Sequence, residues 1–324
     1  ATAKSAAIPW TPITDQQRNS TSAIRLQCIL RALTGNVDSP GGDLFMSFPL
    51  DLVSESEIEA HEVLPQAQKD KQLGSDKHPV FTYRGMAALK EPTKRVWGLE
   101  YTNLVTGCYM ANPSATFRAM AGEGPYPVKA FFVLGNNALL SYGNMKLIHK
   151  AMLNQDLIVV HEHFKTPTAQ LADYILPGDS WLERPQIWTG FGWVGVLATS
   201  EKAMEPPGEC RSVYDFWREL AWRMGYKEAF PWETLEDMLD YRLKATGKRF
   251  NEFAAEFEYK LPDFETRKYL KSGFATPSGK VELYSSVLEN LGFDPLPYFR
   301  EEPDAGSEFR SRMFTGVREN EYFQ

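Results

Sequence analysis

Residues 128–160 restrict the possible folds more than any other stretch. Val128 to Leu134 (VKAFFVL) is short, apolar and aromatic-rich, as a buried strand should be, and it runs into Gly135-Asn136-Asn137. Met145, Ile148 and Met152 then recur at helical spacing, with Leu147 and Ala151 beside them. Asp156 to Val160 (DLIVV) reads as a second strand. Strand, helix and strand fit within roughly 33 residues, the size of one βαβ unit. The spacing therefore predicts parallel strands joined by a crossover helix, which places the region in the α/β class. A shorter unit follows. Thr166-Pro167 supplies an N-cap and first helical residue, Ala169 to Ala172 a short helix, and Tyr174 to Pro177 a third strand ended by proline.

Elsewhere the signals are more local. Ile24 to Ala32 suits a buried helix, and residues 33–36 (LTGN) look like its stop. Residues 38–42 (DSPGG) form a turn-rich loop. From Pro49 to Thr93 the pattern fades into a polar, charge-clustered stretch, expected to be a long surface excursion. Val213 to Met224 is a strong amphipathic helix stopped by Gly225. Ser278-Gly279 marks a turn, and residues 294–297 (DPLP) an extended linker.

Composition excludes several classes. A chain of 324 residues suggests about two domains. With 43% hydrophobic and 24% charged residues it is a globular protein, not a disordered one. A net charge of −7 disfavours nucleic acid as partner. The three cysteines, Cys28, Cys108 and Cys210, form no Cys-x-x-Cys pair, which argues against a zinc ribbon, a cysteine-ligated iron–sulfur cluster or a disulfide scaffold. No apolar run reaches the length of a membrane span.

Three motifs invite chemistry. Gly135-Asn136-Asn137 follows a strand, where open α/β sheets bind ligands; glycine lets a phosphate approach the backbone, and an ordinary strand-to-helix turn is the alternative. His161 and His163 share a face if their strand continues, yet no third metal ligand is identifiable, and polar residues at a sheet edge are the commoner outcome. Residues 190–195 (GFGWVG) spell the dinucleotide glycine pattern, but no clear strand precedes it and no convincing helix follows, so a glycine-rich aromatic loop is preferred. No nucleophile elbow, Walker loop or His-Glu-x-x-His occurs.

Taken in order, several segments resemble the catalytic subunits of the dimethyl sulfoxide reductase family of molybdopterin oxidoreductases. They are residues 33–42 (LTGNVDSPGG), 135–138 (GNNA, with Ala138 in place of the usual proline), 164–177 (FKTPTAQLADYILP, followed by Trp181 and Glu183), 207–211 (PGECR), 274–285 (FATPSGKVELYS) and 315–318 (TGVR). The likeness is weakest over residues 50–100.

The resemblance implies an α/β fold of parallel, Rossmann-like sheet layers with flanking helices, in an internal segment of a larger multidomain enzyme. Implied divisions are 1–125, the end of one α/β domain; 126–200, a dinucleotide-binding half-domain; 201–290, a helical and mixed region; and 291–324, a linker and first strand of a C-terminal domain. The implied cofactor is molybdopterin guanine dinucleotide, two per enzyme, with molybdenum or tungsten, in a two-electron redox or oxygen-atom-transfer enzyme. Gly135, Asn136 and Asn137 would hold the pyrophosphate. Glu162 and Asp173 would accept from guanine or ribose, and Thr166 and Thr168 would donate to phosphate or ribose oxygens. Thr315, Gly316 and Arg318 would close over the cofactor from the other side. No catalytic residue or metal ligand falls within these residues. Implied partners are a small-molecule redox substrate and an iron–sulfur electron-transfer subunit, in a prokaryotic cytoplasm or periplasm. Any iron–sulfur cluster would lie outside this segment. The alternatives are a metal-free scaffold relative, like the large subunit of respiratory NADH dehydrogenase, or a plain nucleotide-binding module.

Overall fold

The structure, a computed structural model, describes residues 4–9, 19–45, 52–53, 55–60, 63–80, 82–98, 110–188, 197–256 and 265–301. The chain divides into two compact units, Ala1–Phe45 with Phe264–Gln324, and Met46–Asp263.

In the first unit, helix α1 (Ser20–Leu33) contains the helix expected over 24–32, but that helix is not buried as expected: Leu26, Leu30 and Leu33 are exposed, and Ser22 is its one buried residue. It ends where Gly35 turns left-handed at φ +71°, which costs glycine no Cβ clash. The chain then doubles back: Asp43 N–H donates to Asn36 O (3.0 Å) and Asp38 N–H to Asp43 O (2.7 Å). Asp38 is fully buried. Its carboxylate accepts from Phe45 N–H (3.0 Å), Lys268 N–H (2.7 Å) and Lys268 Nζ (2.8 Å). Burial pushes this carboxyl up, but the bonds from Lys268 and Phe45 outweigh it and hold the group below the usual aspartate range. Phe274 lies edge-on to Phe45 and stacks on Tyr269, with centroids 5.8 and 5.0 Å apart. Two strings more than two hundred residues apart in sequence are thus tied into one structure.

In the second unit, the stretch expected to be a surface excursion has structure of its own. Among its described residues are single helical turns at Gln66–Lys69 and Tyr83–Met86 and helix α2 (Lys90–Trp97). Val53, Leu73 and Met86 are buried. These apolar positions are scattered singly among polar ones, so no period betrays them. Helix α3 (Pro113–Arg118) starts from Asn112, whose side chain accepts Ala115 N–H (3.1 Å), with proline at its first position.

Strands β1 (Ala130–Leu134), β2 (Leu157–Glu162) and β3 (Tyr174–Pro177) form a parallel sheet in that order, with helix α4 (Met145–Leu153) crossing over between the first two. Phe132 pairs with Val159, and Val160 with Ile175. A small antiparallel pair, β4 (Gln186–Trp188) and β5 (Ala198–Ser200), follows. Helices α5 (Val213–Arg223), α6 (Leu235–Leu243) and α7 (Phe250–Ala255) come next.

Strand alternation sets the layers. On one face Val133, Ile158 and Val160 pack with Ile148, Ala151 and Met152 of α4 and with Phe117 and Met120. Burying each large side chain contributes about 1.5–3 kcal/mol. On the other face Phe132 meets Phe216 and Trp217 of α5 at 6.0 and 5.7 Å. Gly225, at φ +90°, stops α5 as expected. Tyr214 on the same helix donates to Trp232 O (3.0 Å), and burial pushes its phenol up to about 12, so it remains a donor at neutral pH. Leu197, Leu239, Leu243 and Phe250 form a separate small core.

Candidate functional site

Because the three strands run parallel, the segments that leave their carboxyl ends lie along one sheet edge. Three of them follow β1, β2 and β3 directly. After β1, Gly135 continues the ladder by donating its N–H to His161 O (3.0 Å) and then turns left-handed at φ +54°. A Cβ at this glycine would meet no atom of the described residues within 4 Å, so among them the turn faces open space. Among the described residues, no hydrogen bond takes up the next three N–H groups, of Asn136, Asn137 and Ala138. The amide oxygen of Asn136 is buried and has no partner among the described residues. Successive free N–H groups in a turn form a concavity for anionic oxygens. A buried polar atom left without a partner is itself a rare feature that calls for one.

The second segment braces the first. Thr168 is fully buried. Its hydroxyl donates to Asn137 Oδ1 (2.7 Å) and accepts Leu139 N–H (3.0 Å). Expected to donate to a ligand, Thr168 is instead committed within the protein, because the crossover packs its side chain against the turn. Thr166 accepts Ala169 N–H (3.2 Å), but Thr168, and not Thr166 as expected, is the N-cap of the short turn Ala169–Leu171, and among the described residues the Thr166 hydroxyl proton has no acceptor. Glu162, the last residue of β2, is half-buried, and one of its oxygens accepts His163 N–H (2.7 Å).

Asp173 is not brought to this edge. Its carboxylate accepts Ile158 N–H (2.7 Å) and its own N–H donates to Ile158 O (3.0 Å), a clasp at the amino end of the sheet. Four residue steps along β2 separate Ile158 from Glu162, roughly 13 Å at the usual rise. The crossover between β2 and β3 has to return to that end before β3 can start, which is why an acidic residue so near Thr168 in sequence lies far from the turn. Thr315, Gly316 and Arg318 lie outside the described residues, as does the 190–195 glycine string.

The two histidines are structural. His161 Nε2 hydrogen-bonds Arg211 O (3.2 Å), and His163 Nε2 bonds Asp179 O (2.9 Å). Gly178 packs on the His161 ring so closely that a Cβ there would come within 2.6 Å of it. Among the described residues no group of three or more His, Cys, Asp or Glu could hold a metal ion. Sequence reasoning missed Asp179, which follows β3. One of its carboxylate oxygens is 2.8 Å from Arg184, and the other is buried without a partner among the described residues. Only its place just past a strand's carboxyl end could have flagged it.

A family model described as molybdopterin oxidoreductase matches residues 1–223. Acetylene hydratase of Syntrophotalea acetylenica is 48% identical over 100% of this chain and 45% of its own length. Dimethyl sulfoxide/trimethylamine N-oxide reductase of Rhodobacter capsulatus is 28% identical over 58% of this chain and 26% of its own. Among solved structures, acetylene hydratase from Pelobacter acetylenicus superposes with a TM-score of 0.83 at 49% identity, over 91% of this chain and 40% of that one. The chain thus spans less than half the length of these relatives. Among the described residues no helix is long and apolar enough to cross a membrane.

Proposed function

The chain belongs to the molybdopterin oxidoreductase family, and on that premise we propose that it is the cofactor-binding central portion of a molybdenum or tungsten enzyme that carries two molybdopterin guanine dinucleotides. Its turn at residues 135–137 holds the pyrophosphate of one of them. The observation that carries this reading is the unsatisfied polar character of that turn among the described residues: three free N–H groups, an orphaned buried amide oxygen and a glycine opening on empty space, all at the sheet edge where parallel α/β folds take ligands. The residues fit an anionic diphosphate with polar groups beside it.

The N–H groups of Asn136, Asn137 and Ala138 donate to phosphate oxygens. The Asn136 amide pairs with a ribose or guanine group, Glu162 accepts from guanine or ribose with its second oxygen, and Thr166 gives its hydroxyl proton to a phosphate or ribose oxygen. Thr315, Gly316 and Arg318 belong to the proposal on the family resemblance alone. The dinucleotide, when bound, supplies a metal centre for two-electron redox or oxygen-atom transfer, and the protein's share is binding and orientation.

A second reading of the whole protein's reaction is favoured by one comparison. Likeness to a protein named acetylene hydratase runs the length of the chain, whereas likeness to the reductase covers part of it. Addition of water to a carbon–carbon triple bond, with no net electron transfer, is the reaction that likeness supports.

Both readings are tested on the full-length protein. Bound metal and guanine nucleotide are measured in wild type and Gly135→Val; the variant should lose most of both, and unchanged content refutes the site. Product formed from acetylene without any electron acceptor supports the hydratase reading. Turnover that requires an acceptor supports the redox one.

A further inference from the structure

We infer that Thr168 is the positioning residue of this site: its buried hydroxyl and its backbone N–H fix the Asn137 side chain so that the amide NH2 group, and not the amide oxygen, is offered to the ligand. The inference rests on the reading of residues 135–137 as a diphosphate cradle.

The hydrogen-bond directions leave one arrangement. Leu139 N–H can only donate, so the Thr168 hydroxyl accepts there (3.0 Å) and has its proton left for Asn137 (2.7 Å). Thr168 N–H, also only a donor, points at the same Asn137 atom (3.4 Å). Two donors converging on one atom require that atom to be the oxygen. The NH2 group is left on the far side of the amide, with no partner among the described residues. Bonds running in one sense, from Leu139 N–H through the threonine hydroxyl to the asparagine carbonyl, also polarise one another and make that NH2 a stronger donor. Remove the hydroxyl and the amide is free to turn round, setting its oxygen against phosphate oxygens.

The test follows release of guanine nucleotide from the full-length, cofactor-loaded protein with time at raised temperature, beside a thermal melt. Thr168→Val, which keeps the shape, should release the nucleotide about tenfold faster, the scale of one lost hydrogen bond. Thr168→Ser should behave as wild type. Asn137→Ala should also release faster, and adding Thr168→Val to it should change nothing further. Asn137→Asp keeps the acceptor toward Thr168 but replaces the NH2 with an anionic oxygen, and should release faster still; it also decides the matter if Thr168→Val does not fold. Equal acceleration by Thr168→Val with or without Asn137 would mean a merely structural role and overturn the inference, as would Asn137→Asp releasing no faster than Asn137→Ala. Should Asn137→Ala leave release unchanged, the inference about Thr168 and Asn137 falls while the backbone cradle stands; the cradle falls only if Gly135→Val leaves bound nucleotide unchanged.

Discussion

Gly35-Asn36 and Gly135-Asn136 each follow a regular element, and each sets its glycine left-handed, at φ +71° and +54°, with open space where a Cβ would project. At Asn36 every group is used. Its N–H donates to Arg31 O (2.9 Å) and its carbonyl accepts Asp43 N–H (3.0 Å). Its amide oxygen accepts Ala6 N–H (2.9 Å), and its NH2 donates to Thr34 Oγ (2.8 Å). At Asn136 the N–H is free and the buried amide oxygen has no partner among the described residues. The same dipeptide is in one place a self-satisfied fastening and in the other a turn with unmet polar groups, which we propose is a socket. The difference lies not in the residues but in whether the rest of the chain supplies the partners.

The largest expected effect is at the satisfied turn. Asp38→Ala leaves the backbone N–H groups of Phe45 and Lys268 without their acceptor and the partly exposed Lys268 ammonium with only the Glu265 carbonyl, and should cost about 2–4 kcal/mol in denaturant unfolding. Because the folded carboxyl titrates below its ordinary value, its contribution is fully present above about pH 4, the unfolded value, and is lost as pH falls through the folded one. Asp38→Asn should therefore flatten the acid limb of the stability curve. Next come the paired glycines. Gly35→Ala and Gly135→Ala should each lose about 1–2 kcal/mol to left-handed backbone strain. Only Gly135→Ala should also lower the bound guanine nucleotide, because only there does the added methyl enter the ligand's space. If both lower it, or neither does, the contrast between the turns is broken. Smallest is the asparagine pair. Asn36→Ala should cost about 1 kcal/mol for its lost side-chain bonds. Asn136→Ala, which removes a buried amide oxygen that has no partner among the described residues, should leave cofactor-free stability within about 0.5 kcal/mol while weakening nucleotide retention.

The parallel sheet was readable because its strands are short apolar runs separated by a helical period, a change of repeat that survives in a single sequence. The expected strand at 128–134 is observed over Ala130–Leu134, and the expected helix about Met145 to Met152 over Met145–Leu153. The single turns at Gln66–Lys69 and Tyr83–Met86 were not, since four residues cannot display a period. The two three-residue strands β4 and β5 escaped for the same reason, on either side of a glycine-rich string. At the candidate site, glycine and asparagine at a strand's end mark the turn from sequence alone. What a hydroxyl or carboxylate does there is decided by tertiary packing. Thr168 and Asp173 stand only a few residues apart, yet one braces the turn and the other clasps the opposite end of the sheet.

That pair makes the path from Thr168 to Asp173 a ruler. The segment is anchored to Asn137 at one end and to Ile158 at the other, with only the short turn Ala169–Leu171 between. One residue inserted there would either lift the threonine off its asparagine or slip the third strand against its neighbour and turn its side chains to the wrong faces. Spacing, as much as residue identity, therefore governs this stretch, and variants that differ in length should be tolerated in the loops outside it.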